Sequence, residues 1–281
     1  MAGYDDGYSG QSQPQMQFAL PPLTLWVKRL MIANATIFIA LFIFGFASLD
    51  VQGQIVDFLG LNPGMWRDLI PALWQPFTYA FLHDLQGLSH LLFNMLGLFF
   101  FGTMLESMLG GRRFIVFYMS AAVAGALLHL VFMLATGGDR PTIGASGAVV
   151  GVVVAAATLR PQAQVFFFFI PVKLWALAAI MVAFDVFPLL VQLQQGGDSG
   201  RVAHTVHLGG AIFGFLAVRL RWIWKDPVAV IANKRAVAEA QKQISDDAKM
   251  DQLLAKIGRD GLGSLSKSEK AFLNKRSARK K

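Results

Sequence analysis

The sequence predicts an all-α polytopic membrane protein: a bundle of six transmembrane helices followed by a soluble helical tail. Three observations carry that prediction. The chain is 55% hydrophobic and only 15% charged over 281 residues, more apolar than a soluble domain of this size. Apolar runs near the ~20 residues that cross a hydrocarbon core recur along it. Lys and Arg fall overwhelmingly on one side of those runs.

Residues 1–27 are rich in Gly, Ser, Gln, Tyr and Pro, cannot bury enough apolar surface to order themselves, and are expected to form a disordered tail. The first apolar run, residues 30–49, is too long for a signal-peptide core. Asp5 and Asp6, with no Arg before Arg29, argue against an organelle transit peptide. Residues 51–87, with Asn62-Pro63-Gly64, Trp66 and Trp74, read as a long structured loop at the membrane surface. Further spans are expected at 88–108, 113–135, 143–159, 172–193 and 203–222, the fourth being short. Val165–Ile170 is too short to cross and reads as interfacial. The expected organisation is therefore a tail over 1–27, a membrane domain over 28–222 and a basic helical tail over 223–281, in which Ser266-Lys-Ser-Glu269 caps a final helix.

With six spans both termini share one side, and that side holds 22 of the 25 Lys and Arg residues against Arg67, Arg140 and Arg201 opposite. The imbalance predicts cytoplasmic termini. The net charge of +8 sits mainly in the C-terminal tail without interleaved aromatics, which argues against nucleic acid and suits either contact with anionic lipid or a simply solvated tail. Cysteine is absent, which removes disulfides, thiol nucleophiles and Cys-bound zinc. Neither a metal nor a cofactor is called for.

Polar groups inside a span are costly and are therefore functional candidates. His90 and Asn94 lie one turn apart on one helical face, while Ser146 and His207 lie near the same-side ends of the fourth and sixth spans. Gly147-x-x-x-Gly151 and Gly210-x-x-x-Gly214 would let those two spans approach closely, bringing Ser146 to His207. A serine needs a base, and a histidine supplies one near neutral pH, so the pair reads as a dyad. His90, Asn94 and the Ser146 amide are the available oxyanion donors. No acid is close in sequence to His207, so a triad is not assigned, with Asp185 on the fifth span left open. His204 competes with His207 but fits the glycine stripe less well; His83 reads as a loop or supporting residue, His129 has no identifiable partner, and neither is assigned a catalytic role.

At these positions the chain resembles the rhomboid intramembrane proteases. The resemblance runs from about Trp74 to Arg221 through His90-x-x-x-Asn94, Gly102-x-x-x-Glu106-x-x-x-Gly110, Gly144-x-Ser146-Gly147 and His207-x-x-Gly210-x-x-x-Gly214, in that order. It implies a rhomboid-like six-helix fold, Ser146 as nucleophile, His207 as general base, His90 and Asn94 as oxyanion stabilisers, and Gly144, Gly147, Gly210, Gly214 and Glu106 as structural support. Two positions depart: Gln75 replaces the arginine that often follows the loop tryptophan, and Val150 replaces a tyrosine that in some members stacks on the histidine.

The function this implies is endopeptidase cleavage of transmembrane protein substrates near the outer membrane face, through an acyl-enzyme. The alternative is a catalytically inactive rhomboid-like protein that binds transmembrane clients, although such relatives usually lack the serine or histidine kept here. A transporter would show internal repeats and charges at the midplane. The expected location is a bacterial cytoplasmic membrane.

Overall fold

The computed structural model describes residues 21–47, 49–68, 72–85, 87–167, 170–195 and 203–278. The expected N-terminal tail lies outside the described residues as far as residue 20, as do Phe168, Phe169 and Arg201. The chain divides into two compact units, Met1–Lys225 and Asp226–Lys281.

The first unit is a helical bundle. Helix α1 spans Leu25–Ala47, beginning within the stretch assigned to the tail. The long connection after it is helical in pieces: α2 (Leu49–Leu59), α3 (Pro63–Arg67) and α4 (Gln75–Thr78). Asn62 caps α3 by accepting from the Gly64 N–H, and Pro63 occupies the first helical position, where a missing N–H costs nothing. Helices α5 (Leu88–Gly97) and α6 (Thr103–Leu109) run on from one another through a π-type turn at Leu98–Gly102. Gly110, at φ +80°, ends α6, and α7 (Gly111–Thr136) starts at once and stops at left-handed Gly137. Then come α8 (Ser146–Leu159), the strands β1 (Gln164–Phe167) and β2 (Ile170–Lys173), α9 (Leu174–Gln195) and α10 (His204–Arg219). The strands pair antiparallel, with Gln164 opposite Lys173, so the expected interfacial segment is a short hairpin.

Among the described residues, four segments are long and apolar enough to cross a membrane: Leu25–Ile43, Leu88–Leu109, Gly111–Thr136 and Leu174–Gln194. The fourth and sixth expected spans are the exceptions. Helix α8 has 14 residues and α10 has 16, or roughly 21 and 24 Å at 1.5 Å per residue against a core of about 30 Å. Burial explains how α8 is tolerated: Gly147 through Ala157 are all buried, so it meets protein rather than lipid. Outward-facing residues of α9, among them Ile180, Phe184 and Phe187, are exposed, as a lipid-facing helix requires.

Glycines set the spacing of α8 and α10. A Cβ on Gly210 would overlap the Gly147 carbonyl and one on Gly214 the Gly151 carbonyl, while one on Gly151 would lie 2.9 Å from the Gly210 carbonyl oxygen. The expected small-residue stripes therefore face each other, and dispersion across a close backbone crossing replaces the hydrophobic force that lipid cannot supply.

Glu106 ties α1 to α6. Its buried carboxylate accepts from Thr24 Oγ1 at 2.6 Å, from the Trp26 amide at 3.1 Å and from the Val27 amide at 2.9 Å. These are otherwise orphaned donors at a helix N-terminus, where negative charge is favoured.

The second unit comprises α11 (Pro227–Asp260) and α12 (Lys267–Ala278). Helix α11 runs through Gly258 to Asp260 and ends at Gly261, φ +78°. Ser266 and Glu269 form the capping box read from the sequence: the Glu269 amide donates to Ser266 Oγ at 3.2 Å and the Ser266 amide to Glu269 Oε2 at 2.6 Å. Those bonds and Lys256 hold the Glu269 carboxyl below its ordinary range. Lys256 to Glu269 at 3.1 Å and Arg276 to Asp247 join the two helices.

Candidate active site

Three helices that begin on one side of the bundle bring the polar residues together. His90 is in the first turn of α5, Ser146 is the first residue of α8, and His207 is in the first turn of α10. The fourth span was expected to begin at 143, placing the serine inside it; the helix instead starts at Ser146. Its amide is therefore one of the N–H groups that have no acceptor within the helix.

Loop contacts fix the approach to Ser146. Leu61 and Thr142 exchange two backbone hydrogen bonds of 2.9 Å, and the Gly144 N–H donates to the Tyr79 carbonyl at 2.9 Å. Gly144 adopts φ +131°, and a Cβ there would meet His90 Cε1 at 2.7 Å and Ser146 Oγ at 3.6 Å. Glycine is required on both counts, and the space it leaves is filled by the His90 ring beside the serine hydroxyl.

His207 Nε2 lies 2.7 Å from Ser146 Oγ, the spacing of a nucleophile and its base. On the other side of the ring, His207 Nδ1 lies 2.8 Å from Asp185 Oδ1, and His204 Nδ1 reaches the same oxygen at 2.8 Å. Asp185 is buried, on α9, 22 residues before His207 in sequence. An ionised carboxylate only accepts, so each histidine donates its Nδ1–H to it. That tautomer leaves the Nε2 lone pair of His207 for the serine proton.

Among the described residues, Asp185, His204 and His207 also form a cluster whose ligating atoms could hold a metal ion, all within 4.8 Å of one another. Their 2.8 Å separations fit hydrogen bonds, whereas ligands around a tetrahedral ion at ~2.0–2.1 Å stand roughly 3.3 Å apart. The donor set accounts for itself without a metal.

Of the other expected residues, Asn94 is buried and its Nδ2 donates to the His90 carbonyl at 2.8 Å, so it braces the turn carrying His90 with one N–H and keeps a second. His129, for which the sequence offers no partner, is held at both nitrogens: Nδ1 lies 2.6 Å from Thr205 Oγ1 and Nε2 2.8 Å from Thr142 Oγ1. It clamps the start of α10 to the segment leading into Ser146. His83 packs its ring 5.2 Å from that of His90, and burial, with the neighbouring His90, holds its pKa down to about 4.

Both departures have a structural answer. Gln75 is fully buried and replaces a charge with a two-way amide: Oε1 accepts from the Asn62 amide at 3.1 Å and Trp66 Nε1 at 3.0 Å, while Nε2 donates to the Phe58 carbonyl at 3.3 Å. The loop is anchored without an arginine. Val150 is buried in an apolar cluster with Leu174, Leu177 and Ala211, and Asp185 provides the contact that orients the His207 ring.

Residues 71–223 match the profile of the Rhomboid domain. Among similar proteins, the presenilin-associated rhomboid-like protein, mitochondrial, of Rattus norvegicus is 33% identical over 183 residues, covering 63% of this chain and 45% of the relative. Rhomboid protein 1, mitochondrial, of Saccharomyces cerevisiae is 36% identical over 143 residues, 49% of this chain and 38% of the relative. The RHOMBOID-like protein 12, mitochondrial, of Arabidopsis thaliana is 28% identical over 206 residues, 68% and 56%. The chain thus spans about half the length of the relatives it matches. All three are mitochondrial by name, and this overturns the expectation of a bacterial cytoplasmic membrane with cytoplasmic termini: a Lys and Arg bias reports which side of a membrane a loop occupies and carries no information about which membrane it is.

Proposed function

Because this chain belongs to the rhomboid family, we propose that it is an intramembrane serine endopeptidase that cleaves transmembrane protein substrates near the membrane face where α5, α8 and α10 begin. The observation that carries this reading is the 2.7 Å contact between Ser146 Oγ and His207 Nε2. In acylation Ser146 Oγ attacks the scissile carbonyl carbon while His207 Nε2 takes the hydroxyl proton. The oxyanion is met by the Ser146 amide, His90 and the free N–H of Asn94, and the collapsing intermediate expels the amine, which takes the proton from His207. Water, activated by the same histidine, then hydrolyses the ester and restores the serine.

A regular helix hides its carbonyls in its own hydrogen bonds, so substrate segments that unwind easily are preferred. The mitochondrial relatives support a mitochondrial membrane as the place of action, with both termini on the side bearing most of the Lys and Arg. The test is cleavage of a model transmembrane substrate by the purified protein in liposomes. Wild type is expected to cut, and Ser146→Ala and His207→Ala to abolish cutting. Full cleavage by Ser146→Ala removes the nucleophile assignment, and no cleavage by wild type across several substrates removes the enzyme.

A further inference from the structure

We propose that Asp185 is the positioning residue of this site, so that the chain works with a carboxylate-backed Asp185–His207–Ser146 relay rather than a dyad, and that His204 holds that carboxylate in place. The inference rests on the proteolytic reading above and deepens it.

A carboxylate inside an apolar helix is expensive unless paired. Asp185 is buried while Phe184 and Val186 beside it are exposed toward lipid, so α9 turns one polar side chain inward between two apolar neighbours. Among the described residues, its hydrogen bonds come from two histidine Nδ1 atoms at 2.8 Å on a single oxygen, Oδ1. His204 and His207 are three residues apart on α10, on one face, with rings perpendicular and centroids 6.4 Å apart. One oxygen thus receives two N–H groups from one helix turn, and the His204 bond leaves Asp185 little freedom to swing away from His207.

The effect on the reaction follows from geometry. A neutral imidazole offers its Nε2 lone pair to Ser146 only when its proton is on Nδ1, and Asp185 selects that tautomer. When Ser146 loses its proton to Nε2, His207 becomes an imidazolium whose Nδ1–H still faces a negative oxygen, while the proton gained passes on to the leaving amine. Besides Asp185 and His204, among the described residues His90 approaches the ring, from α5 across Gly144. It brings no negative charge, so the stabilising carboxylate is supplied by α9. With valine at position 150, no aromatic ring from that position orients the imidazole, and Asp185 takes over that task.

The experiment measures kcat and KM for a transmembrane substrate with Asp185→Asn, and in parallel the rate at which a fluorophosphonate labels Ser146. The expected result is a fall of about 10²–10⁴-fold in kcat and in labelling rate with KM changed less than threefold. Asn preserves size, so a general loosening of the fold would raise KM or lower the thermal midpoint instead. Should the Asn variant not fold, Asp185→Glu and Asp185→Gln replace it: they match in size and differ only in the carboxylate, and a kcat at least tenfold higher for Glu is expected. Asp185→Asn with kcat and labelling within threefold of wild type, or Glu and Gln variants of equal kcat, overturns the proposal. Ser146→Ala serves as the separate control: if it also cuts, the protease reading itself has failed, whereas loss of cutting there with full activity in Asp185→Asn rejects the relay alone.

Discussion

Replacing Gly210 with alanine adds one methyl at the point where α8 and α10 cross, and its effect can be worked from the structure. The new Cβ would fall on the Gly147 carbonyl, a backbone atom inside a helix that cannot rotate aside, and ordinary contact needs 3.4–4 Å. Helix α10 must therefore retreat by more than about 1 Å, and a displacement of that size at a catalytic pair costs on the order of 10²-fold. His207 lies one turn before Gly210, so the 2.7 Å contact with Ser146 opens with it. The overpacking itself should destabilise by roughly 1–3 kcal/mol. Cleavage kinetics and fluorophosphonate labelling of Ser146 measure the first effect, and thermal unfolding in detergent measures the second. Gly53→Ala in α2 is the matched control, because nothing lies within 4 Å of its Cβ, and it should be neutral or slightly stabilising. Gly210→Ala with activity within threefold of wild type and an unchanged thermal midpoint would refute the idea that this crossing sets the geometry of the pair.

Other substitutions probe the frame around the site. Glu106→Gln keeps the shape but loses the charge that the Thr24, Trp26 and Val27 donors share, and should cost about 1–3 kcal/mol in thermal or denaturant unfolding. His129→Leu fills the same buried space while orphaning Thr142 and Thr205; a loss of about 1–3 kcal/mol and slower cleavage are expected, and full activity with unchanged stability would show the clamp to be idle. Acid should weaken the fold through His83, which lies in the loop before α5: the unfolded chain takes up this proton near pH 6.5 while the folded one refuses it until about 4. Its contribution is complete above pH 6.5 and is lost progressively as the pH falls toward 4, by at most about 3 kcal/mol. Comparing unfolding of wild type and His83→Gln at pH 7.5 and pH 5 checks this, the wild type being expected to lose more.

The candidate site was readable because lipid makes polar side chains conspicuous. Serine, histidine and asparagine within apolar runs stand out at His90, Asn94, Ser146 and His207, and the glycine pairs at 147/151 and 210/214 announce a close crossing. Helix ends were harder to read. The start of α8 at Ser146 depends on Thr142 pairing with Leu61 and Gly144 bonding to Tyr79, partners more than sixty residues away. The anchoring role of Gln75 is not legible in the sequence because its contacts, Asn62, Trp66 and Phe58, are main-chain and indole groups gathered only by the folded loop.

By itself, then, the sequence determined that this is a multi-pass helical membrane protein, which helices carry the serine and the histidine proposed as nucleophile and base, and that small residues bring those helices together. Only the tertiary structure decided that Asp185 faces His204 and His207, and that His129 joins Thr142 to Thr205. The reason is physical. Composition and periodicity report the apolar length of a helix and which residues share its face, but the rotation of one helix against another is set by packing summed over the whole bundle, and that rotation chooses the partner of a lone buried charge.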